Sequence, residues 1–487
     1  MGFQVTEKDG SGRDSAVYSV DVTQLVNGNG AHAQAESVPR TRSRAYVKGG
    51  GHRPTVQWAQ VLRGIFLPAG YPASVSSGHG IGKAEASATD AMLLTVLQDA
   101  FSRLTTILAA YFLGTSLYPE AKTYRLIADI ANDVAIFFDL LSPQLSPYSL
   151  VFTFPFIAQQ PGTGLRLTAL CLSGAFRALC GVTAGGARAA LTLHFAQDGE
   201  VMGDVGDLSA KDASKETVLA LFGMLCGSLL MPHLQTAWST YAVVLILLGC
   251  HLLANYIAVR VVVMRSLNRQ RASILWSTYR ASQQARPSSL QERRILPPDQ
   301  VAHKEYTFGH ADVLYQTASE SASIVGRSTI GTAFSDVFMP RSIPWWTFWK
   351  SSITPDQAQD TLGQLLDLFI KDRFILWREM APARFGPPTP QIRIFLKEGH
   401  NAKDHLKAWV HAAEFATQCR LAEPSTPSEI LDRIQKSQEV VNELFDPFVK
   451  GLQQTGWDLD APGLISGSPV TIRVEGDEEY QEDKKNV

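Results

Sequence analysis

Six side chains have the types and spacing to do chemistry. Arg125, Asp129, Asn132 and Asp133 lie within Tyr124–Leu141. At about 100° per residue they gather on one side of a helix, with Ile127, Val134, Phe137 and Phe138 largely elsewhere. Arg177 and Arg188 are eleven residues apart, about three turns, so they share a face if their helix is continuous. Such a set can lock helices together by ion pairing, recognise a solute or lipid headgroup, or carry out proton chemistry; pairing is the first expectation, recognition the second, catalysis the third. An arginine in the middle of a membrane span opposes insertion by roughly 2.5–3.5 kcal/mol. Two on one face therefore need snorkelling, partners or an aqueous pocket, and Asp129 and Asp133 are the nearest partners by composition. The competing expectation for the acidic stretch is a solvated face on an interfacial helix.

Other chemistries fail on spacing. SGHGIGKAEA at residues 77–86 has Ser77 and Ala84 where a phosphate-binding loop needs Gly and Ser or Thr. Gly162 and Gly164 lack a third fingerprint glycine, residue 167 being Leu. His411 and Glu414 do not form a zinc-protease motif, and no GxSxG stands at a strand-to-helix elbow. Cys171, Cys180, Cys226, Cys250 and Cys419 show no metal-ligand spacing and are expected as buried small hydrophobes. His194 and His233 are expected at helix ends or interfaces. No metal, no cofactor and no enzyme activity are expected.

The elements that position these residues follow from where charge is missing. Lys plus Arg number 44 and Asp plus Glu 46, so a nucleic-acid-binding polycation is excluded as a class. Only 18% of residues are charged, against about 25% in ordinary soluble domains. The deficit is concentrated: Thr217–Val259 is 43 residues without a charge, and Leu140–Leu165 another 26, broken by Pro143, Pro147, Pro155 and Pro161. Trp238–Val259 supplies 22 uncharged residues, enough for a bilayer core of about 30 Å. The spacing predicts helices over Ala86–Leu113, Tyr124–Leu141, Gly164–Phe195, Glu216–Leu230 and Trp238–Met264, the last two as a hairpin, with Ala196–Ser214 a polar connector. Asp99 and Arg103 are placed to pair. Small residues let helices approach closely, and Gly174, Gly181, Gly185, Gly223 and Gly227 are the expected packing positions. Arg265, Arg269, Arg271, Arg280, Arg286, Arg293 and Arg294 against Glu292 read as a juxtamembrane cluster facing anionic lipid on the inner side.

Five stretches carry a resemblance: FLPAGYPASVS at 66–76, YRLIADIANDVAIFFDLLSP at 124–143, LSGAFRALCGVTAGGARAALTLHFA at 172–196, DLSAKDASKETVLALFGMLCG at 207–227 and ANYIAVRVVVMRSLNRQRASIL at 254–275. In this order they resemble the root UVB-sensitive protein family over residues 50–300. The resemblance implies membrane association and a core domain of no established biochemical activity. It also implies a protein partner, such as a related family member, since two plant relatives are thought to act together. Plant members are linked to seedling development, UV-B response, auxin transport and vitamin B6-related homeostasis. No plastid-targeting lead is evident here, which argues against plastid residence.

The expected architecture is mainly α: a multi-helix membrane-associated core with a C-terminal α+β domain. Residues 1–50 are expected as a disordered lead with a short strand near Ala16–Val22, 51–300 as the core, 301–354 as a mixed connector, 355–474 as the α+β domain and 475–487 as an acidic tail. Within the last domain, helices are expected at Pro355–Phe369, Asn401–Cys419 and Ser428–Leu452, and strands at Arg373–Arg378, Gln391–Lys397 and Val470–Val474. The expected function is a membrane protein that organises or regulates a partner without catalysis, with membrane lipids as its surroundings; the alternative is a carrier or binding protein for a small solute or lipid.

Overall fold

Long apolar helices and a strand-rich soluble segment cannot share one core, and the chain divides accordingly. The computed structural model describes residues 2–8, 14–24, 43–49, 90–145, 164–196, 203–284, 295–317, 322–334, 363–379, 390–421, 424, 426–461 and 463–476. One unit is Thr55–Val263; the other joins Met1–Pro54 to Met264–Val487.

The first unit is helical: α1 (Asp90–Leu113), α2 (Ala121–Leu141), α3 (Gly164–Ala196), α4 (Val205–Leu230) and α5 (Ala237–Val261). α3 packs on α1 and α2, and α2 packs on α5. The α2–α3 seam is narrow because Ala128, Ala131 and Ala135 meet a face carrying Ala169, Thr183, Ala187 and Ala190, all buried. Phe138 stacks on Phe176 at 5.9 Å. α4 starts at an Asp204 cap whose carboxylate accepts from Gly206 N at 2.8 Å. Residues 205–214, expected as connector, are therefore its first turns. A Thr236–Ser239 capping box opens α5. Among the described residues, three helical segments are long and apolar enough to cross a membrane: Leu165–Ala196, Val205–His233 and Ala237–Val261.

The glycine expectation holds at one position of five. A Cβ on Gly174 would come 3.0 Å from Gln98 Cγ, whereas Gly181, Gly185, Gly223 and Gly227 have open space around them. Among the described glycines of the helical unit the closest approach is at Gly186, where a Cβ would lie 2.3 Å from Leu117 Cδ1. Cys226 and Cys250 are exposed on the apolar helices, against the expectation of burial; Cys171 and Cys419 are buried.

The second unit is built on one mixed sheet. Its strands are β1 (Gly2–Lys8), β2 (Asp14–Gln24), β3 (Ser43–Gly49), β4 (Val313–Thr317), β5 (Ala322–Ile330), β6 (Phe374–Glu379), β7 (Gln391–Lys397) and β8 (Thr471–Gly476). Its helices are α6 (Arg269–Gln284), α7 (Pro298–Lys304), α8 (Ala402–Leu421) and α9 (Pro427–Gln454). The strand order is β3-β2-β1-β8-β7-β5-β4, with β6 on the other edge of β7. β7 shares one edge between two parallel partners: β5 along Gln391–Ile394, then β8 at Leu396 and Lys397. Trp276, Trp409 and Phe448 fill the core, Trp276 meeting Phe448 edge-on at 5.3 Å. Both indoles are satisfied, Trp409 Nε1 donating to Arg269 O at 2.9 Å and Trp276 Nε1 to Glu414 at 3.3 Å.

Four segment assignments change as a result. Residues 2–8, 14–24 and 43–49 are strands rather than a disordered lead, and β1 lies between β2 and β8 with Val5 fully buried. The 301–354 connector carries β4 and β5 of the sheet, and Glu475 and Gly476 end β8 rather than starting a tail. Met264 onward belongs to the sheet unit, so the helical unit stops well short of residue 300.

The arginines expected to face lipid show why. Arg271 is 3% exposed, its guanidinium 2.7 Å from Glu305 and donating to Ser266 O at 2.8 Å. Arg269 donates to Leu464 O at 2.8 Å and lies over the Trp409 ring, and Arg280 pairs with Glu414 at 3.3 Å. Arg286, Arg293 and Arg294 lie outside the described residues. Arg271→Met should therefore strand the buried Glu305 carboxylate and lower stability by about 3–5 kcal/mol, with most of it regained on adding Glu305→Leu. Thermal unfolding of the full chain measures this; a lipid-facing arginine would leave the single variant near wild type in detergent.

Candidate functional site

Charged residues inside the helical unit mark the site, because each must be matched in apolar surroundings. Asp129 and Asp133 are one turn apart on α2, 6% and 5% exposed. Arg125, a turn before, donates to Asp129 Oδ1 at 2.8 Å. His251, about half-way along α5, lies 2.9 Å from Asp133 Oδ1 and is hydrogen-bonded to Oδ2 at 3.0 Å. Asp129 Oδ2 has no hydrogen-bond donor among the described residues, and Asp133 Oδ1 has the His251 imidazole beside it without an aligned hydrogen bond. Asn132 is half-buried beside them.

The two arginines of α3 find other partners. Arg177 pairs with Asp139, at the far end of α2 from Asp129. Arg188 pairs with Asp212 at 2.8 Å and Glu216 at 3.1 Å, both on α4. The expected pairing with Asp129 and Asp133 is thus corrected: α2 and α3 run antiparallel, with Phe138 opposite Phe176, which brings Arg177 level with Asp139, while Arg188 is taken up by the carboxylates of α4. His251 was missed, because a lone histidine in an uncharged run carries no spacing signal. Asp99 and Arg103 pair as expected, at 2.7 Å, and remain exposed. His194 closes α3, its Nε2 3.0 Å from Val263 O, and His233 ends the turn after α4.

In the sheet unit, His411 Nε2 lies 2.9 Å from Ser437 Oγ, the distance of a base and its nucleophile. Both residues are fully buried, and Ser437 Oγ already donates to Ile434 O at 2.8 Å, so the contact is structural. Two clefts open here. One of about 530 Å³ is lined by Asp367, Lys371, Asp372, Lys407, Gln438 and Asn442, with Asp372 held at 2.6 Å by both Lys407 and Gln438. The other, of about 450 Å³, includes Lys403, His405, Asp446 and Lys450. Among the described residues no three metal-ligating side chains converge. The loop at 77–86 and the prolines at 147, 155 and 161 lie outside them.

A bundle of apolar helices carrying a buried acidic pair, in one chain with an open mixed sheet covered by helices, defines a two-unit protein of membrane-compatible type. No solved structure matches it. Residues 76–283 match the vitamin B6 photo-protection and homoeostasis domain, and residues 385–465 match the root UVB sensitive protein C-terminal domain. The chain belongs to the root UVB-sensitive family. Protein root UVB sensitive 3 of Arabidopsis thaliana is 31% identical over 280 residues, 51% of this chain and 56% of that protein. RUS family member 1 of Dictyostelium discoideum is 29% identical over 260 residues, 47% of this chain and 46% of that protein. Protein root UVB sensitive 2, chloroplastic, of Arabidopsis thaliana is 21% identical over 430 residues, 81% of each chain. This chain spans about half the length of the first two relatives.

The first domain's description raises the question of a B6 vitamer. Its aldehyde form would need a lysine amine open to a cleft. Burial lowers the Lys397 pKa to about 8, which suits such an amine, but its Nζ donates to Phe369 O at 2.5 Å and it lines neither cleft. Lys407, which does line one, is tied to Asp372. Neither Lys397 nor Lys407 fits an aldehyde site.

Two outcomes follow. Reversing Arg177 to Asp or Asp139 to Arg should each lower the monodisperse fraction in fluorescence size-exclusion chromatography, and the double reversal should restore it. Arg177→Asp with Asp133→Arg should not. Near-identical profiles for the single variants would instead fit an exposed pair in water, worth about 0–1 kcal/mol. Separately, burial lowers the His411 pKa to about 4. The unfolded chain then takes up its proton near the ordinary value of about 6.5, before the folded one does. The contribution is complete above that pH and is lost as pH falls toward 4. Unfolding of the sheet unit measured from pH 8 to 4 should show this slope, reduced in His411→Gln.

Proposed function

We propose that the protein is a membrane-anchored organiser or regulator of a partner protein, with no reaction of its own. The observation that carries this reading is α4, a helix of 26 residues with no buried position, in the same chain as a well-packed sheet unit. The helices supply attachment to lipid and the sheet unit supplies the contact module. That module is the whole unit including β1–β3, since removing residues 355–487 would take β6, β7, β8, α8 and α9 out of the sheet. A related family member is the partner that the family resemblance favours, and the localisation this implies is a membrane.

A second reading, a binding protein or carrier for a small solute or lipid, is supported by the buried acidic pair, in which Asp129 Oδ2 has no donor among the described residues. Flux or ligand-dependent stabilisation in reconstituted full-length protein, abolished by Asp133→Asn, would favour it over the organiser.

The organiser reading expects the full-length protein to stay in the pellet after alkaline carbonate and to co-purify with a partner. Phe308→Asp or Ile370→Asp, at exposed apolar positions of the sheet unit, should release that partner without lowering the unfolding temperature. Recovery in the carbonate supernatant would remove the membrane half of the reading, and a partner retained by both variants would move the contact away from these positions.

A further inference from the structure

Contacts inside the helical unit fix the directions of α4 and α5. Arg188, late in α3, reaches Asp212 and Glu216 in the first half of α4. Less than two turns further along α3, His194 meets Val263, just past α5. At the other end, Gln144, just after α2, donates to Tyr241 OH in the opening turns of α5 at 3.0 Å, and Asp133, further back on α2, meets His251. α5 therefore runs against α2 and finishes where α3 finishes. α4 starts at that same end, and the turn at residues 231–236 lies at the opposite one.

Charge marks the same two levels. Asp207, Lys211, Asp212, Lys215 and Glu216 precede the uncharged run and Arg260 follows it. Residues 217–233 span roughly 25 Å and Trp238–Val259 roughly 33 Å at 1.5 Å per residue, bracketing a hydrocarbon core of about 30 Å. At the turn stand His233 and Trp238, the indole 85% exposed, as suits an aromatic side chain at a headgroup boundary. A groove on a protein would cover one face of a helix, but the exposed apolar residues of α4 include the consecutive pairs Val218–Leu219, Leu221–Phe222 and Met224–Leu225, and so encircle it.

We propose that the occupant of this surface is the hydrocarbon core of a lipid bilayer, and that α4 and α5 cross it as a hairpin. The turn at 231–236 reaches the far surface, while residues 205–216 and the chain from Arg260 onward stay together on the near one. This rests on the membrane reading above and adds its topology.

Full-length protein in sealed vesicles, treated with a membrane-impermeant maleimide from either side, provides the test. Ser209→Cys and His303→Cys should label from one side, and Gln235→Cys only from the other. The native Cys226 and Cys250, exposed thiols within the hairpin, should react from neither side and become reactive in detergent. Labelling of all three introduced cysteines from one side, in protein that resists carbonate, would overturn the crossing in favour of a hairpin lying in one leaflet. Residues 209 and 303 on opposite sides would overturn the pairing of the ends. Release by carbonate would sink the membrane reading itself, leaving a protein partner as the cover. A protease site inserted after Gln235 gives the same readout if a cysteine variant fails to fold.

Discussion

The 43-residue uncharged run from Thr217 to Val259 is costly to leave in water, and among the described residues much of it is exposed. Val218, Leu219, Leu221, Phe222, Met224, Leu225 and Leu229 are each more than half exposed on α4. Burying such side chains yields about 1.5–3 kcal/mol apiece, so what α4 leaves exposed is on the order of 10 kcal/mol, comparable to the net stability of a whole domain. The other arrangements in this unit are compatible with that constraint. Charges at the start of α4 are held by Arg188, beyond the apolar run, and the buried polar contacts of the unit lie between α2 and its neighbours rather than on α4.

The two units handle buried charge differently. In the helical unit, pairs form at different levels, within α2 for Arg125 with Asp129 and between helices for His251 with Asp133 and Arg177 with Asp139. Asp129 Oδ2 remains without a donor among the described residues. In the sheet unit two buried charges are enclosed with several partners each. Arg271 and Glu305 are a buried pair whose guanidinium also reaches a backbone carbonyl, and Asp372 is held by an ammonium and an amide. Asp372 in its cleft is already satisfied, whereas Asp129 Oδ2 in the α2 seam has no donor among the described residues.

Family membership and chain organisation do not coincide. The first matched domain runs to residue 283, past the end of the helical unit at Val263 and through most of α6. The second, residues 385–465, holds β7, α8 and α9 but leaves β1–β3 and β8 outside. The sheet is thus completed by strands beyond either match, with β1 and β8 paired to each other.

Local features were legible in the sequence because they depend on neighbours along the chain. Periodicity placed α2, α3 and α5 to within a few residues, alternation placed β7, and an i,i+4 spacing placed the Asp99–Arg103 pair. The 43-residue charge gap by itself determined that part of this protein must be covered by something other than water. Tertiary structure decided what depends on residues far apart. The antiparallel register of α2 and α3 took Arg177 to Asp139, and the approach of α5 made His251 the partner of Asp133. Close packing selected Gly186 and Gly174 from a row of small residues that are indistinguishable in sequence. The Arg265–Arg294 cluster beside an apolar helix looked like a lipid contact; its sheet-unit surroundings, Glu305, Leu464 and Glu414, come from up to nearly two hundred residues away and bury Arg271. The strands of residues 2–49 are strands because β8, more than four hundred residues later, offers an open edge, and backbone hydrogen bonding across that distance leaves no mark in the composition of either segment.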